Sequence, residues 1–278
     1  MKLKLGFSTC PNDTFIFDAM IHGKVDTEGL SFDVVMEDVE ELNIKVMEDS
    51  IDISKLSYHA YAYASQNYIL LTSGSALGRK NGPLLISRHK IYPDEIDNIS
   101  VAIPGKYTTA NLLFSIEYPD AKNKKEYLFS DIEEAVLSGE ADAGVIIHES
   151  RFTYEKKGLR KIIDLGEQWE SKAGYPIPLG GIVIRRAIDD NISRKVNRVL
   201  KRSILFALEN PNSGYGFIKQ HAQELDDSVI FRHIQLYVND NTTELSEEAK
   251  EGIRYLYKIA SEKGVTDPVP DNIFIKSE

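Results

Sequence analysis

A histidine and a glutamate come directly after a short apolar run, and an imidazole in that position suits proton transfer. Residues 144–147 are small or apolar, and His148 and Glu149 follow them. Such a run predicts a strand that is buried on both faces. Ligands of open α/β sheets bind beyond the carboxyl ends of strands, where an imidazole can exchange a proton near neutral pH. His148 is therefore a candidate general base, although a histidine can also end a strand for structural reasons alone.

A helix is predicted just before this strand. Ser130 to Glu133 fits a capping box, apolar residues follow at helical spacing, and Gly139 is a typical helix end. The sequence thus predicts a helix that feeds a buried strand, with His148 at the carboxyl end of that strand.

Two adjacent threonines mark a candidate anion site. Thr108 and Thr109 lie between a predicted strand at 101–103 and a predicted helix that contains Leu112 and Ile116. The first turn of a helix has unpaired N–H groups and the positive end of the helix dipole, which suits an anion. Simple N-capping by a threonine is the alternative. The nearby Gly105 and Lys106 favour the anion site slightly.

Other polar segments also follow predicted strands and could face the same cleft. The strand Leu3–Phe7 runs into a loop rich in capping residues, and the strand from Ile51 ends in Lys55-Leu56-Ser57. The segment 176–181 reads as a stiff crossing between two parts of the fold. The residues that could line a cleft by this argument are Ser8, Thr9, Asn12, Asp13, Gly180 and Gly181.

Metal and nucleophile chemistry receive little support from residue spacing. The six histidines form no HxH, HxxxH or HExxH pattern, so we expect no metal site. A serine hydrolase lacks support because no GxSxG occurs. Cys10 is the single cysteine, and burial is a commoner fate for it than nucleophilic work with His148 as its base. The two histidines of the C-terminal helical part, His221 and His233, are expected to be structural or exposed.

Composition excludes several classes of partner. The 278 residues carry a formal net charge of −10, and no long block of Lys and Arg offers a face for nucleic acid. One cysteine allows no internal disulfide. The sequence shows neither the apolar core of a signal peptide nor a run long enough for a membrane span. We expect a soluble, cytoplasmic protein.

The order of predicted elements indicates an α/β fold with two lobes. Strand–helix units alternate over the first 185 residues, and a helical C-terminal third follows. Two crossings are expected, near 89–98 and 176–181. Residues 1–94 plus 176–278 would then form a discontinuous outer lobe and residues 95–175 an inserted inner lobe, with the ligand cleft between them. Predicted strands include 84–87, 127–129 and 159–165.

Several blocks together resemble the 1,4-dihydroxy-6-naphthoate synthase family, which acts on cyclic dehypoxanthinylfutalosine in the futalosine route to menaquinone. The blocks lie within residues 8–181, the last being the most specific: Ser8–Phe15, Glu37–Glu40, Lys55–Tyr58, Pro104–Thr109 and His148–Tyr154. The resemblance implies a periplasmic-binding-protein-like fold of type II, with a mixed sheet flanked by helices in each lobe.

The resemblance also implies chemical roles. It makes His148 the proton acceptor and places substrate contacts on Lys55, Leu56, Ser57, Thr108 and Thr109. The implied reaction is a base-initiated fragmentation that breaks a carbon–carbon bond, releases a small carbohydrate (dihydroxyacetone) and needs no cofactor. A chorismate dehydratase of the same pathway, which shares the two-lobed fold, is the nearest alternative. The residues alone also allow a protein that binds a small anion and does no chemistry.

Overall fold

The computed structural model describes residues 1–80, 82–222 and 226–276, and of His148 and Glu149 it describes the backbone. The described residues form eleven strands: β1 (Lys2–Phe7), β2 (Ser31–Met36), β3 (Ile53–Ser57), β4 (Tyr68–Leu70), β5 (Ala76–Gly78), β6 (Leu84–Ser87), β7 (Val101–Ile103), β8 (Lys124–Glu126), β9 (Ala143–Ile146), β10 (Arg160–Asp164) and β11 (Ile177–Arg185). The same residues form eleven α-helices: α1 (Pro11–Ile21), α2 (Val39–Met47), α3 (Tyr58–Ala64), α4 (Thr109–Glu117), α5 (Ile132–Ser138), α6 (Leu165–Ala173), α7 (Asp190–Glu209), α8 (Tyr215–His221), α9 (Asp227–Tyr237), α10 (Asp240–Thr243) and α11 (Glu247–Glu262).

The first sheet, called sheet A, has the strand order β2-β1-β3-β11-β4, and β5 pairs with β11 as well. Strand β1 is parallel to β2 and β3, so the carboxyl ends of β1 and β3 lie at one edge. Strand β11 runs antiparallel to β3, β4 and β5. The segment that we expected to be a stiff crossing is thus mostly strand. Pro178 is accommodated because the pairing with β5 shifts register between Pro178 and Gly180.

The second sheet, called sheet B, has the order β10-β6-β9-β7-β8. Strands β7 and β9 are parallel, so their carboxyl ends also share one edge. All four residues of β9 are buried, which confirms the predicted buried strand before His148. Both sheets are mixed, as the predicted fold class requires.

The chain crosses between the sheets earlier than we expected. Strand β5 belongs to sheet A and β6 to sheet B, so the first crossing lies between residues 78 and 84 and not near 89–98. Residues 93–98 form a 3₁₀ helix that joins two strands of sheet B. Strand β6 is buried on both faces, and such a strand carries no pattern that tells which sheet it will join. The division into lobes stays a prediction.

Two local predictions were wrong. The strand expected at 127–129 is at Lys124–Glu126, on the edge of sheet B, where charged side chains are exposed and apolar patterning is absent. The capping box at 130–133 does not form: Asp131 is the N-cap of α5 without a side-chain cap, and Glu133 bonds to Lys157 instead. The predicted end of this helix is confirmed, since Gly139 adopts the left-handed conformation there.

Three apolar clusters hold the elements in place. One cluster is continuous from Leu56 and Tyr58 beside sheet A to Val101 and Val145 of sheet B. A second lies between sheet A and helices α1, α7 and α9, and a third between sheet B and α5. The two sheets therefore share the first of these clusters, which holds the facing strand ends of the two sheets in position. No described helix is both long and apolar enough to cross a membrane.

Candidate functional site

A cavity lies where the carboxyl ends of strands from both sheets meet. Sheet A and its helices contribute the loop after β1, the end of β3 and the middle of β11, whereas sheet B contributes the segments after β7 and β9. The described lining residues are Ser8, Asn12, Asp13, Val39, Lys55, Leu56, Ser57, Ala76, Pro104, Thr108, Thr109, Ala110, Phe129, Ile147, Leu179, Gly180 and Tyr237.

The cavity contains a buried ion pair. Lys55 Nζ lies 3.1 Å from Asp13 Oδ1, and the two side chains are 7% and 2% exposed. Asp13 Oδ1 also accepts a hydrogen bond from Asn12 Nδ2, and its Oδ2 accepts one from the Ser8 hydroxyl at 2.7 Å. Asp13 lies in the first turn of α1, where the helix dipole favours a negative charge. These partners offset the cost of removing the carboxylate from water.

Lys55, which lines the cavity, has unused hydrogen-bonding capacity. An ammonium has three N–H donors, and among the described residues Lys55 Nζ makes its ion pair with Asp13 but no hydrogen bond of good geometry. A buried donor without a partner costs free energy. An anionic ligand in the cavity would remove that cost, so Lys55 is suited to hold a carboxylate.

Ser57 is held at the end of β3 by one asparagine. The Ser57 N–H donates to Asn43 Oδ1 at 2.9 Å, and Asn43 Nδ2 donates to Ser57 Oγ at 3.2 Å. Asn43 lies on α2 and is fully buried. The orientation of the Ser57 hydroxyl is therefore set by a residue that does not itself line the cavity.

The two threonines make different contacts. Thr108 is the N-cap of α4: its hydroxyl accepts from the Asn111 N–H and donates to the Gly105 carbonyl. The Thr109 hydroxyl donates to the Leu179 carbonyl of β11 at 2.5 Å, so it links α4 to sheet A. The predicted helix N-terminus is confirmed. The first-turn N–H groups of Thr109 and Ala110 have no partner within the helix by their position, and both residues line the cavity.

A buried histidine lies behind the threonines. His59 Nδ1 is 3.2 Å from the Thr108 carbonyl, and the His59 N–H donates to the Thr109 hydroxyl. Removal from water lowers the pKa of His59 from 6.5 to about 4. The neutral ring therefore donates from Nδ1 to the carbonyl and fixes the start of α4 against α3.

The backbone places His148 directly after Ile147, a residue that lines the cavity. Strand β9 ends at Ile146, Ile147 lines the cavity, and His148 begins a 3₁₀ helix that runs to Phe152. The side chain of His148 lies outside the part of the chain that the structure describes, so its role as base stays a prediction.

Buried polar contacts anchor this short helix. Ser150 Oγ donates to Glu133 Oε2 at 3.3 Å, and Lys157 pairs with the same oxygen at 2.8 Å. Arg151 pairs with Asp164 of β10 at 3.2 Å.

Most of the candidates from the sequence meet in this cavity. Of the twelve, Ser8, Asn12, Asp13, Lys55, Leu56, Ser57, Thr108, Thr109 and Gly180 line it. Thr9 and Gly181 are not among the described lining residues. Gly181 faces the other side of β11, since a Cβ there would meet the Tyr58 hydroxyl and Leu70. Neighbouring strand residues point to opposite faces, which explains why Gly180 lines the cavity and Gly181 does not.

One cavity residue of α9, Tyr237, escaped the sequence analysis, and its neighbour His233, which was expected to be structural or exposed, is buried. Tyr237 lines the cavity. The fully buried His233 does not, but its Nε2 lies 2.8 Å from Oδ1 of Asn12, which is a lining residue. The rings of Tyr237 and His233 pack 4.6 Å apart. Their spacing of four residues on one helix face was the available signal, and it is also common in ordinary cores. Cys10 is buried, as its packing habit suggests.

Comparison with known proteins places this chain in a family. A family model described as menaquinone biosynthesis matches residues 3–262. A protein of Thermus thermophilus named 1,4-dihydroxy-6-naphthoate synthase is 41% identical over 98% of this chain and 99% of its own length.

Two solved structures support the fold. A crystal structure of an Archaeoglobus fulgidus protein is 35% identical, with a TM-score of 0.90 over 95% of this chain and 98% of that one. The ligand-binding component of an ABC-type import system from Staphylococcus aureus is 13% identical, with a TM-score of 0.73 over 99% and 96% of the two chains. The fold is therefore that of the periplasmic binding proteins. By sequence and by structure, this chain belongs to the menaquinone biosynthesis family.

Proposed function

We propose that this protein is a carbon–carbon lyase that converts cyclic dehypoxanthinylfutalosine to 1,4-dihydroxy-6-naphthoate. The Thermus thermophilus relative bears the name of that activity and matches nearly the whole chain. The geometric observation that carries the proposal is the buried Lys55 ammonium in the wall of a cavity that the N-terminus of α4 also lines. Both features suit a substrate with a carboxylate and several hydroxyls.

In this proposal Lys55 holds the substrate carboxylate, and Ser57 and the first turn of α4 hold the sugar-derived hydroxyls. His148 accepts a proton from the sugar-derived part. A carbon–carbon bond then breaks, the bicyclic part becomes aromatic and dihydroxyacetone leaves. Aromatisation supplies driving force, and a positioned base typically contributes about 10²–10⁴-fold to the rate.

Turnover by the purified protein tests this proposal. The protein is incubated with cyclic dehypoxanthinylfutalosine, and naphthoate is followed by absorbance while dihydroxyacetone is measured separately. We expect the two products in equal amounts. Consumption of chorismate in a parallel reaction would point to the dehydratase instead, and binding of the cyclic substrate without turnover would point to a binding protein. We also propose a cytoplasmic location, which fractionation of cells with an antibody would test.

A further inference from the structure

One glutamate of α2 reaches across to the loop that carries the sheet B side of the cavity. The N–H of Tyr107 donates to Glu40 Oε1 at 2.8 Å. Tyr107 belongs to the segment 104–109, here called the β7–α4 loop. On its other side this loop is tied to sheet B, since the Lys106 N–H donates to Glu126 of β8. The Glu40 contact therefore docks the loop onto the elements of sheet A.

The same carboxylate is bonded to the asparagine that orients Ser57. Asn43 Nδ2 donates to Glu40 Oε2 at 2.9 Å, one helical turn away on α2. Asn43 then contacts both the N–H and the hydroxyl of Ser57. A continuous chain of hydrogen bonds thus runs from the Tyr107 N–H through Glu40 and Asn43 to Ser57. Among the described residues, neither Glu40 nor Asn43 lines the cavity.

The loop is shaped to approach Glu40 closely. Gly105 has φ +123°, which side chains rarely permit, and a Cβ there would lie 2.6 Å from Glu40 Cδ. The backbone conformation and the lack of space for a Cβ each require a glycine at this contact. The glycine therefore allows the loop to approach Glu40 closely.

Charge makes the two bonds of Glu40 depend on each other. Removal from water raises the pKa of Glu40, and the nearby carboxylates of Glu126 and Asp38 add to that effect, whereas the bonds from Tyr107 and Asn43 oppose it. When a half-buried carboxylate loses one hydrogen-bond donor, the free-energy cost of removing its charge from water is no longer offset. Loss of Asn43 should therefore loosen the side chain of Glu40 and, through it, the loop.

We propose that Glu40 and Asn43 are positioning residues that couple docking of the β7–α4 loop to the orientation of the Ser57 hydroxyl. A ligand that binds Ser57 would then favour the docked loop, and the docked loop would favour ligand binding at Ser57. The benefit to the reaction rests on the proposed function, because that function gives Ser57 its role. The coupling itself is a property of the free protein.

Hydrogen–deuterium exchange of the free protein tests the coupling without any ligand. Asn43→Ala does not remove a contact of the loop, yet we expect exchange of the segment 105–109 to rise roughly 3- to 10-fold, the range of one net hydrogen bond. Exchange in α11 reports overall stability in the same experiment. Glu41→Ala, an exposed neighbour on the same helix, should change neither. Unchanged exchange of 105–109 in Asn43→Ala would overturn the coupling.

Ligand binding tests the consequence, with 1,4-dihydroxy-6-naphthoate as the probe in calorimetry. We expect Glu40→Ala to weaken binding roughly 3- to 10-fold when Ser57 is present and less than about twofold when Ser57 is replaced by alanine. Equal weakening in both backgrounds would overturn the coupling, because Glu40 would then act independently of Ser57.

The two tests separate this inference from the proposed function. If the unaltered protein neither binds the naphthoate nor turns over the cyclic substrate, the proposed function fails. The exchange experiment still decides whether Glu40 and Asn43 couple the loop to Ser57. Should Asn43→Ala fail to fold, Ser57→Ala serves for exchange, because it removes the hydroxyl that Asn43 contacts and no contact of the loop. We expect exchange of 105–109 to rise in that variant as well, and unchanged exchange there would overturn the coupling.

Discussion

The wall of the cavity that belongs to sheet A carries buried charges, whereas the wall that belongs to sheet B carries neutral dipoles. Asp13 and Lys55 are the charged residues among the described lining residues, and both are on the sheet A side. The sheet B wall offers the hydroxyls of Thr108 and Thr109 and the N-terminal amides of α4. Charges need permanent partners to be buried, but dipoles at a helix end can adapt to a ligand.

This difference matters because the whole chain is acidic. A formal net charge of −10 repels an anion at long range, so a local cation has to supply the attraction. In the proposed function, Lys55 supplies that attraction on one wall. The other wall would then bind oxygen-rich groups without a second charge, and the reaction would need only a proton acceptor in addition.

The largest effect should come from removing the proposed proton acceptor, His148. His148→Asn keeps a hydrogen-bonding side chain but cannot accept a proton at neutral pH. We expect kcat to fall by about 10²-fold or more, with the affinity for 1,4-dihydroxy-6-naphthoate little changed. His89→Asn, at an exposed site, is the matched control. Steady-state kinetics on both variants give the answer, and an unaltered kcat in His148→Asn would remove this residue as the base.

The next largest effect should come from the charge on the sheet A wall. Lys55→Met leaves the buried Asp13 carboxylate without its cation, which typically costs about 3–5 kcal/mol of stability. Urea unfolding should show that loss. A second change, Asp13→Asn, should restore much of the stability, because it removes the stranded charge.

Binding should not recover in the double variant, since the cation for the ligand is still missing. Calorimetry with 1,4-dihydroxy-6-naphthoate separates the two effects. The exposed pair Lys2–Asp33 is the control, and Lys2→Met should cost less than about 1 kcal/mol. Full affinity in the double variant would mean that Lys55 does not hold the ligand.

A pH-dependent effect of intermediate size should arise at His59, which packs behind the threonines of the sheet B wall. Its folded pKa is about 4, below the 6.5 of the unfolded chain, so the unfolded state binds the proton more readily. The stabilisation that comes from keeping His59 neutral is fully present above pH 6.5 and is lost as the pH falls toward about 4. The free energy of unfolding should fall by up to about 3 kcal/mol, since each unit of pKa difference corresponds to about 1.4 kcal/mol.

His59→Asn should flatten that part of the profile, because an amide can still donate to the Thr108 carbonyl but does not titrate. Urea midpoints of both proteins between pH 4 and 7 are the measurement. The difference between the two curves cancels the carboxylates that titrate in the same range. Parallel curves would show that the burial of His59 has no thermodynamic consequence.

Sequence patterns predicted best what depends on near neighbours in the chain. The buried strand before His148, the helix start at Thr108 and the end at Gly139 each follow from a few adjacent residues. The sheet that β6 joins could not be predicted, because all its residues are buried and its partners are distant in sequence. The contact of His233 with Asn12 spans 221 residues, so only the folded chain reveals it.

The smallest expected effects lie within the sheet B wall, where two adjacent threonines should behave differently. Thr108 is a helix cap whose hydroxyl makes two hydrogen bonds, one with Gly105 of its own loop and one with Asn111 of α4. Thr108→Val should therefore lower stability by about 0.5–2 kcal/mol and leave the affinity of the folded protein almost unchanged.

Thr109 instead links α4 directly to β11, through the hydrogen bond from its hydroxyl to the Leu179 carbonyl. Thr109→Val should lower stability and also weaken binding of 1,4-dihydroxy-6-naphthoate by about 0.5–1.5 kcal/mol, because the first-turn amides of α4 are no longer held in place. Thr109→Ser keeps the hydroxyl and should retain most of both properties. Melting temperature and calorimetric affinity, measured on all three variants, separate a cap from a wall-to-wall contact. If Thr108→Val weakened binding as much as Thr109→Val, then both hydroxyls would contact the ligand. The threonine side chains would then contribute more to ligand affinity than the first-turn amides of α4.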